Sequence, residues 1–478
     1  MKKSISLLLV FAAIALCAAC SGGGAGQSRV STATTPETTE LTTTSRWADS
    51  LLETDMDGAE VNVLTAAEQW QSFYNAEDSG EIVDSAVFLR NQSISERFNC
   101  EINYLIFNGY MAGMADVRTA ITGSVMAGSG DYDLLVGSVS YITPLISANV
   151  FTDLNGVDYI DFSAPWWYDG VNSELEIAGR QYLAAGSYGL LNTAWSVVTF
   201  FNKNLAESHN IGDLYSLVLD GSWIYDRFHE ICSNVTSDLD GNDVIDGNDL
   251  VGLVSTEDYI RIAAFSMGVK LTSRENGRII FNEANDRLVK VNELIYNLYK
   301  SDWYLNTKTD LDYTEQCTLF AGDHAMFMTH RLSLAGGAIL REMDGYGIIP
   351  VAKFDESQEK YLTETVAEIC AIPLVVPSAD NSALMLEALN AESYLNVRPV
   401  YYELALKTKY ASDTVTGQML DIICESARYD FVSCYSRIFA STPINLIGAS
   451  ENITSAIAEN IAAWQEKIDS LTETVSGF

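Results

Sequence analysis

The apolar positions of the chain first fall into a strand and helix alternation. Glu60-Val-Asn-Val-Leu-Thr65 alternates apolar and polar residues and reads as a strand. From about Asp84 to Phe98 the spacing becomes helical, with Val87, Phe88, Leu89, Ile94 and Phe98 as the apolar positions. Cys100 to Phe107 is a second strand and about Met111 to Met126 a second helix. Tyr132-Asp-Leu-Leu-Val136 is a buried-type strand that ends in Gly137-Ser138. This order predicts a parallel or mixed sheet with helices on its faces. Ligands of such sheets lie outside the C-terminal ends of the strands, which singles out the loops after Leu64, Phe107 and Val136.

Further along, Glu176 to Tyr188 is hairpin-like, and Trp195 to Phe201 is a strong strand closed by the turn Asn202-Lys203. Helices are predicted over Asp226–Cys232, Glu257–Gly268, Ala284–Tyr299 and Ala383–Tyr394, with a long amphipathic helix over Ser450–Leu471. In the third of these, Leu288, Val291, Leu294, Ile295 and Leu298 share one face. At 478 residues, 48% of them hydrophobic, the chain exceeds one core and calls for two or three domains.

The first 20 residues look like an export signal. Lys2 and Lys3 precede the apolar run Ile5–Leu16, which is too short to span a membrane, and Cys17-Ala-Ala-Cys20 follows. Small residues before Cys20 and glycines after it resemble a bacterial lipobox, with Cys17 in the usual leucine position. That resemblance implies cleavage before Cys20 and a lipid on its sulfur. Residues 21–54 are rich in Gly, Ser and Thr and read as a flexible tether. Cys100, Cys232, Cys317, Cys370, Cys424 and Cys434 remain, without a CxxC metal pattern; Cys424 and Cys434 are the pair nearest in sequence for a disulfide.

A formal net charge of -36 argues against nucleic-acid binding and against docking on anionic lipid, and suits a neutral or cationic ligand.

One stretch carries metal chemistry. In Asp238-Leu-Asp240-Gly-Asn242-Asp-Val244-Ile-Asp246-Gly-Asn-Asp249, side-chain oxygens fall at positions 1, 3, 5, 9 and 12, and Val244 offers its carbonyl at position 7. That is the ligand order of an EF-hand calcium loop. Position 12 is Asp rather than Glu, and position 6 is Asp243 rather than Gly, so Asp243 must accept the sharp-turn conformation. The alternative is an acidic surface turn. The loop has no repeat in the chain, so the expectation is a structural calcium clip.

Several short motifs, in order, resemble the extracellular solute-binding proteins of ABC sugar importers, the family 1, maltose-binding-like lipoproteins of Gram-positive bacteria. They are Tyr132-Asp-Leu, Pro165-Trp-Trp, Gly179-Arg-Gln-Tyr182, Phe201-Asn-Lys203, Asp220-Gly-Ser-Trp223, Phe320-Ala-Gly-Asp-His-Ala-Met326 and Tyr346-Gly-Ile-Ile-Pro350. The resemblance covers about Glu60 to Leu471. It implies a two-lobe α/β fold of the type II periplasmic-binding-protein kind, with hinge-linked lobes and a ligand cleft between them. By analogy, 55–190 with 374–415 forms lobe 1, and 191–373 with 416–478 forms lobe 2. The expected crossings lie near Gly186–Ala194, Ile372–Pro377 and Ser412–Gly417. The resemblance further implies a monomeric, lipid-anchored protein on the outer face of the cell membrane that hands a carbohydrate, an oligosaccharide for preference, to a membrane permease.

Sugar recognition needs flat apolar faces flanked by hydrogen-bonding side chains. The chain carries 8 Trp and 24 Tyr. The candidates are Trp166, Trp167 and Trp223 as stacking faces, with Glu68, Trp70, Ser138, Tyr141, Tyr188, His330, Arg331 and Tyr435 after predicted strands or on late loops. Each has a plain structural alternative: core packing for the aromatics, an ion pair for Arg331, a satisfied buried ring for His330. No Gly-x-Ser-x-Gly elbow, Walker loop, dinucleotide fingerprint or His-Glu-x-x-His occurs, so an enzyme is not expected. A peptide-binding protein of the same fold and a secreted glycan-active enzyme are the competing readings.

Overall fold

The computed structural model describes residues 49, 51–67, 82–109, 112–307, 313–343, 345–365, 368–406, 414–439 and 443–478. The leader, Cys20, most of the tether, Glu68 and Trp70 lie outside them. Asp49, at the end of the expected tether, is already docked. Its carboxylate takes two hydrogen bonds from the Arg97 guanidinium, at 2.7 and 2.8 Å, and both side chains are buried.

Four strands form the first sheet. β1 (Ala59–Ala67) pairs in parallel with β2 (Cys100–Asn108) and with β3 (Leu134–Ser138). The predicted strand and helix alternation is therefore present. The fourth strand comes from far along the chain. In the sheet order β12-β3-β1-β2, β12 (Glu368–Ala371) pairs antiparallel with β3. The chain has thus returned to the first sheet by Glu368, before the expected crossing at Ile372–Pro377.

The second sheet uses β4 (Val197–Asn202), β5 (Val251–Ser255), β8 (Tyr304–Asn306), β9 (Ala325–Arg331) and β10 (Tyr346–Pro350), in the order β10-β4-β9-β5-β8. β5 is parallel to β8 and β9, whereas β4 is antiparallel to β9 and β10. β4, β5 and β10 are buried at every position, so they read as continuous apolar runs rather than alternating ones. Two small ladders complete the set: the hairpin β6 (Thr272–Glu275) with β7 (Arg278–Phe281), and the parallel pair β11 (Thr363–Glu364) with β13 (Ala427–Arg428).

The helix Ala379–Glu392 is buried from Ser382 to Glu392 on every face. A helix enclosed all round shows no amphipathic stripe, and its polar residues must find partners inside. Asn390 donates to Leu386 O at 2.8 Å and accepts from Tyr188 N at 3.0 Å. The C-terminal helix Ile453–Ser476 buries Ile457, Trp464, Ile468, Leu471 and Val475 at helical spacing, as its pattern predicted. It packs against β7 of the second lobe and against the 3-10 segment Thr143–Ala148 that follows the first sheet. The tail therefore touches both lobes rather than only the second.

Cys100, Cys232, Cys317, Cys370, Cys424 and Cys434 are all free thiols, so Cys424 and Cys434 form no disulfide. Among the described residues, no helix is long and apolar enough to cross a membrane.

Candidate functional site

The ends of the two sheets meet at one short segment. Ser138, the last residue of β3, pairs with Glu368. Glu368 N donates to Asn192 Oδ1 at 2.6 Å, and Asn192 Nδ2 donates to Glu368 O at 2.8 Å and to Gly186 O at 3.1 Å. Four residues on, Ser196 O accepts from Leu332 N at 2.9 Å, and Val197 pairs with Arg331, the last residue of β9. The C-terminal ends of β3 and β9 are thus held on either side of Asn192–Ser196, where α/β sheets place their ligands. The turn into this segment requires glycine at 189, where a Cβ would lie 2.9 Å from Asn192 Nδ2 and 3.2 Å from Glu368 Cβ. The expected crossing Gly186–Ala194 overlaps this segment at Asn192–Ala194.

At the end of β9 the side chains form an aromatic cluster of tilted and edge-on rings. The buried His330 ring lies 3.8 Å from the Tyr259 ring and 4.3 Å from the Tyr313 ring, centroid to centroid. The Arg331 guanidinium lies 4.6 Å from the Tyr313 centroid and 5.2 Å from that of Trp195. His330 Nδ1 accepts from Arg331 N at 2.8 Å, which places the ring proton on Nε2. Burial, then the neighbouring Arg331 charge, holds the imidazole pKa well below the usual histidine range. His330 and Arg331 were legible from their place after the strand, but Tyr259 and Tyr313 were not anticipated. Tyr259 had a positional signal, since it starts the helix Glu257–Ser266 just beyond β5.

On the first-sheet side, the Ser138 hydroxyl is buried 3.3 Å from that of Ser140. The half-buried Tyr141 lies 3.9 Å beneath the exposed Arg437 guanidinium.

The other candidates are walled in by protein. Trp166 Nε1 and Trp167 Nε1 donate to the two oxygens of Glu387 at 2.9 and 3.0 Å, tying the Pro165-Trp-Trp loop to the enclosed helix. Burial raises the Glu387 pKa to about 7, against the lowering effect of these donors. Tyr188 donates its hydroxyl to Tyr104 at 3.0 Å, with the Arg90 guanidinium 4.9 Å over its ring. Trp223 donates to Pro350 O at 2.9 Å and packs on Phe228 and Phe327. Tyr435 donates to Leu175 O at 2.7 Å and stacks on Phe431. Each buried indole or hydroxyl has found its one partner inside, and the Trp166, Trp167 and Trp223 side chains are fixed as packing elements here.

The acidic loop brings together three of its four expected aspartate ligands. Oxygens of Asp238, Asp240 and Asp249 lie within 4.8 Å of one another. Asp249 is buried and accepts from Leu239 N at 2.8 Å and Asp246 N at 2.9 Å, which keeps its pKa low. Asp238 accepts from Gly241 N and Asp243 N, and Asn242 Oδ1 from Val244 N at 2.7 Å. Asp243 takes φ +62°, the left-handed turn demanded at position 6. An antiparallel bridge between Ser237 and Leu250 closes the loop ends, and Ile245 packs into the core beneath. The donor set, all hard oxygen, fits calcium.

At the β11–β13 pair, Glu364 lies beside Arg428, 3.8 Å from its Nε, and Asp430 lies 3.9 Å from its Nη2. Two buried carboxylates share one guanidinium, and burial pushes both pKa values up, Glu364 furthest.

No known family profile matches the chain, and no curated protein matches it in sequence. Solved structures do match. The UspC protein of M. tuberculosis has a TM-score of 0.56 at 12% identity, covering 85% of this chain and 100% of its own. The cyclic alpha-maltosyl-1,6-maltose binding protein of Arthrobacter globiformis has 0.54 at 12%, covering 87% and 99%. The chain has the two-lobe fold of the maltodextrin-binding proteins. The GacH receptor of Streptomyces glaucescens, solved unliganded and with acarbose, shares this fold with a TM-score of 0.51 at 11% identity, over 88% of this chain and 99% of its own. Asn192–Ser196 lies on the chain's passage from the first sheet to the second.

Proposed function

We propose that this chain is the substrate-binding component of an ABC importer. It is held to the outer face of a bacterial membrane by lipid on Cys20, and it captures a carbohydrate between its lobes for delivery to a permease. The reading rests on the shared fold of carbohydrate-binding proteins and on the half-buried rings of Trp195 and Tyr313 against Arg331 and of Tyr259 beside Tyr313, which offer flat faces beside polar edges. Of the neighbours compared, the Arthrobacter globiformis protein binds cyclic alpha-maltosyl-1,6-maltose and the GacH receptor was solved with acarbose. Closure of the lobes is then a population shift driven by contacts to both.

Calcium belongs to the same reading as a clip on the second lobe. Asp238, Asp240, Asn242, Asp246 and Asp249 would hold it with the Val244 carbonyl, pinning the entry to β5 without touching the sugar.

The test is a thermal-shift screen of residues 21–478 against mono- and oligosaccharides, peptides and glycan-hydrolysis substrates. An upward shift with sugars alone, without turnover, is the expected result. A shift with peptides alone, or turnover of a glycan, overturns the carbohydrate-import reading.

A further inference from the structure

The charge of the whole chain, 28 basic against 64 acidic residues, points to a ligand that is not an anion. The junction between the lobes shows the opposite locally. In a chain with this surplus of carboxylates, an arginine finds an acid partner readily, and Arg97, Arg227, Arg261, Arg274, Arg278, Arg287 and Arg428 all do. Arg331 and Arg398 do not. Neither guanidinium is hydrogen-bonded or ion-paired to a described residue, and the Nε of each is buried without a partner, as are those of Arg97, Arg118 and Arg261. Both are held by aromatic faces instead. Arg331 stacks on Trp195 and Tyr313, and Arg398, only 9% exposed, lies 4.0 Å from the Tyr394 centroid and 5.5 Å from that of Tyr402.

Arg398 opens the helix Arg398–Leu406, which packs against Ile82–Phe98 of the first lobe and against the 3-10 segment Leu332–Gly336, directly after Arg331. Tyr401, one turn on from Arg398, feels the Arg331 charge. A cation that is partly desolvated, fixed in orientation by stacked rings and left without a counter-ion suits a planar or tetrahedral oxyanion, which a guanidinium receives through two parallel N–H donors. The long-range repulsion from the acidic surface does not forbid this. Beyond about 8 Å it is screened at physiological salt, whereas the contact pair is not.

We propose that the carbohydrate captured at this junction is anionic, and that Arg331 receives its carboxylate, sulfate or phosphate group. This rests on the carbohydrate-import reading and names its substrate class.

The test is isothermal titration of residues 21–478 with trigalacturonate, its fully methyl-esterified form, maltotriose, galactose 6-sulfate and glucose 6-phosphate, at low and at raised salt. Arg331→Gln and Arg331→Lys are measured beside the parent, with unliganded melting to confirm that each folds. The expected result is binding of one or more charged sugars at least tenfold tighter than of the neutral ones, weakening with salt. Arg331→Gln should lose at least tenfold for the charged sugar alone, and Arg331→Lys should lose less. Preference among the charged probes tells a carboxylate from a sulfate or phosphate. Equal or better binding of neutral sugars, or an Arg331→Gln variant that binds the charged sugar as the parent does, overturns the anionic assignment and leaves the import reading standing. No binding of any sugar overturns both.

Discussion

Asn192 and Glu368 are joined as two residues of a sheet would be, although only one of them lies in a strand. The Asn192 side-chain amide accepts from Glu368 N and donates to Glu368 O, so it takes the place of a backbone neighbour at the edge of β12. Its own carbonyl accepts from the Thr365 and Ser196 hydroxyls. One side chain therefore fastens the first crossing to the second.

Asn192→Leu removes the hydrogen bonds that this side chain makes to the Glu368 N–H and carbonyl, each worth roughly 1–3 kcal/mol. Unfolding in urea should show a loss of about 2–4 kcal/mol, with the m-value preserved. A change under about 0.5 kcal/mol would mean that the junction does not depend on this amide.

Glu387 gives stability a pH slope of definite sign. Its folded pKa of about 7 stands above the ordinary 4.5, so the folded state holds a proton that the unfolded state releases. The contribution is full below about pH 4.5, falls as pH rises toward about 7, and is constant above. Urea unfolding at pH 5 and pH 8 should differ between the parent and Glu387→Gln by on the order of 2 kcal/mol, at 1.36 kcal/mol for each unit of pKa. Parallel curves for the two proteins would count against it.

His330 acts in the opposite direction. Its depressed pKa means that the unfolded state binds the proton the folded state refuses. Its stabilising share is present above pH 6.5 and is lost progressively as pH falls below that value. His330→Gln should flatten the acid side of the stability profile, and a profile with unchanged slope between pH 6.5 and 5 would remove the assignment.

Calcium should raise the melting temperature, and chelation should return it. A native-only ligand at a hundredfold excess over its Kd adds about 2.7 kcal/mol. Asp240→Ala and Asp249→Ala should abolish the response. Asp249→Ala should also lower the chelated baseline, because Asp249 caps two backbone N–H groups without any ion. A calcium response that survives both variants would place the ion elsewhere.

Trp223→Phe separates packing from hydrogen bonding. It keeps most of the contact with Phe228 and Phe327 but leaves Pro350 O without its donor at the end of β10. Urea unfolding should show a loss of about 1–3 kcal/mol. An unchanged midpoint would show that the indole N–H is dispensable.

The first three strands and their helices were legible because each has its own period, and the acidic loop because ligand spacing is local. The fourth strand of the first sheet was not: Glu368–Ala371 is short and lies beside Ile372, so its partner could be found only in space. Position after a strand singled out His330 and Arg331, which the structure places together at the end of β9. Aromatic type alone proposed Trp166, Trp167 and Trp223, which serve packing. A large ring is as useful to a core as to a ligand, and only the partner of its N–H tells the two apart. Asn192 left no mark, since a buried amide that replaces a strand neighbour has no motif.

The late arrival of β12 fixes an order of assembly. β3 waits for a partner ~230 residues downstream, and the helix Ala379–Glu392 that must be enclosed follows it. Closing so long a loop is slow, and it earns no contacts until both ends are present. The second sheet is complete by Pro350, whereas the first lacks its fourth strand until Glu368, so a chain growing from its N-terminus has all the strands of its later sheet before those of its earlier one.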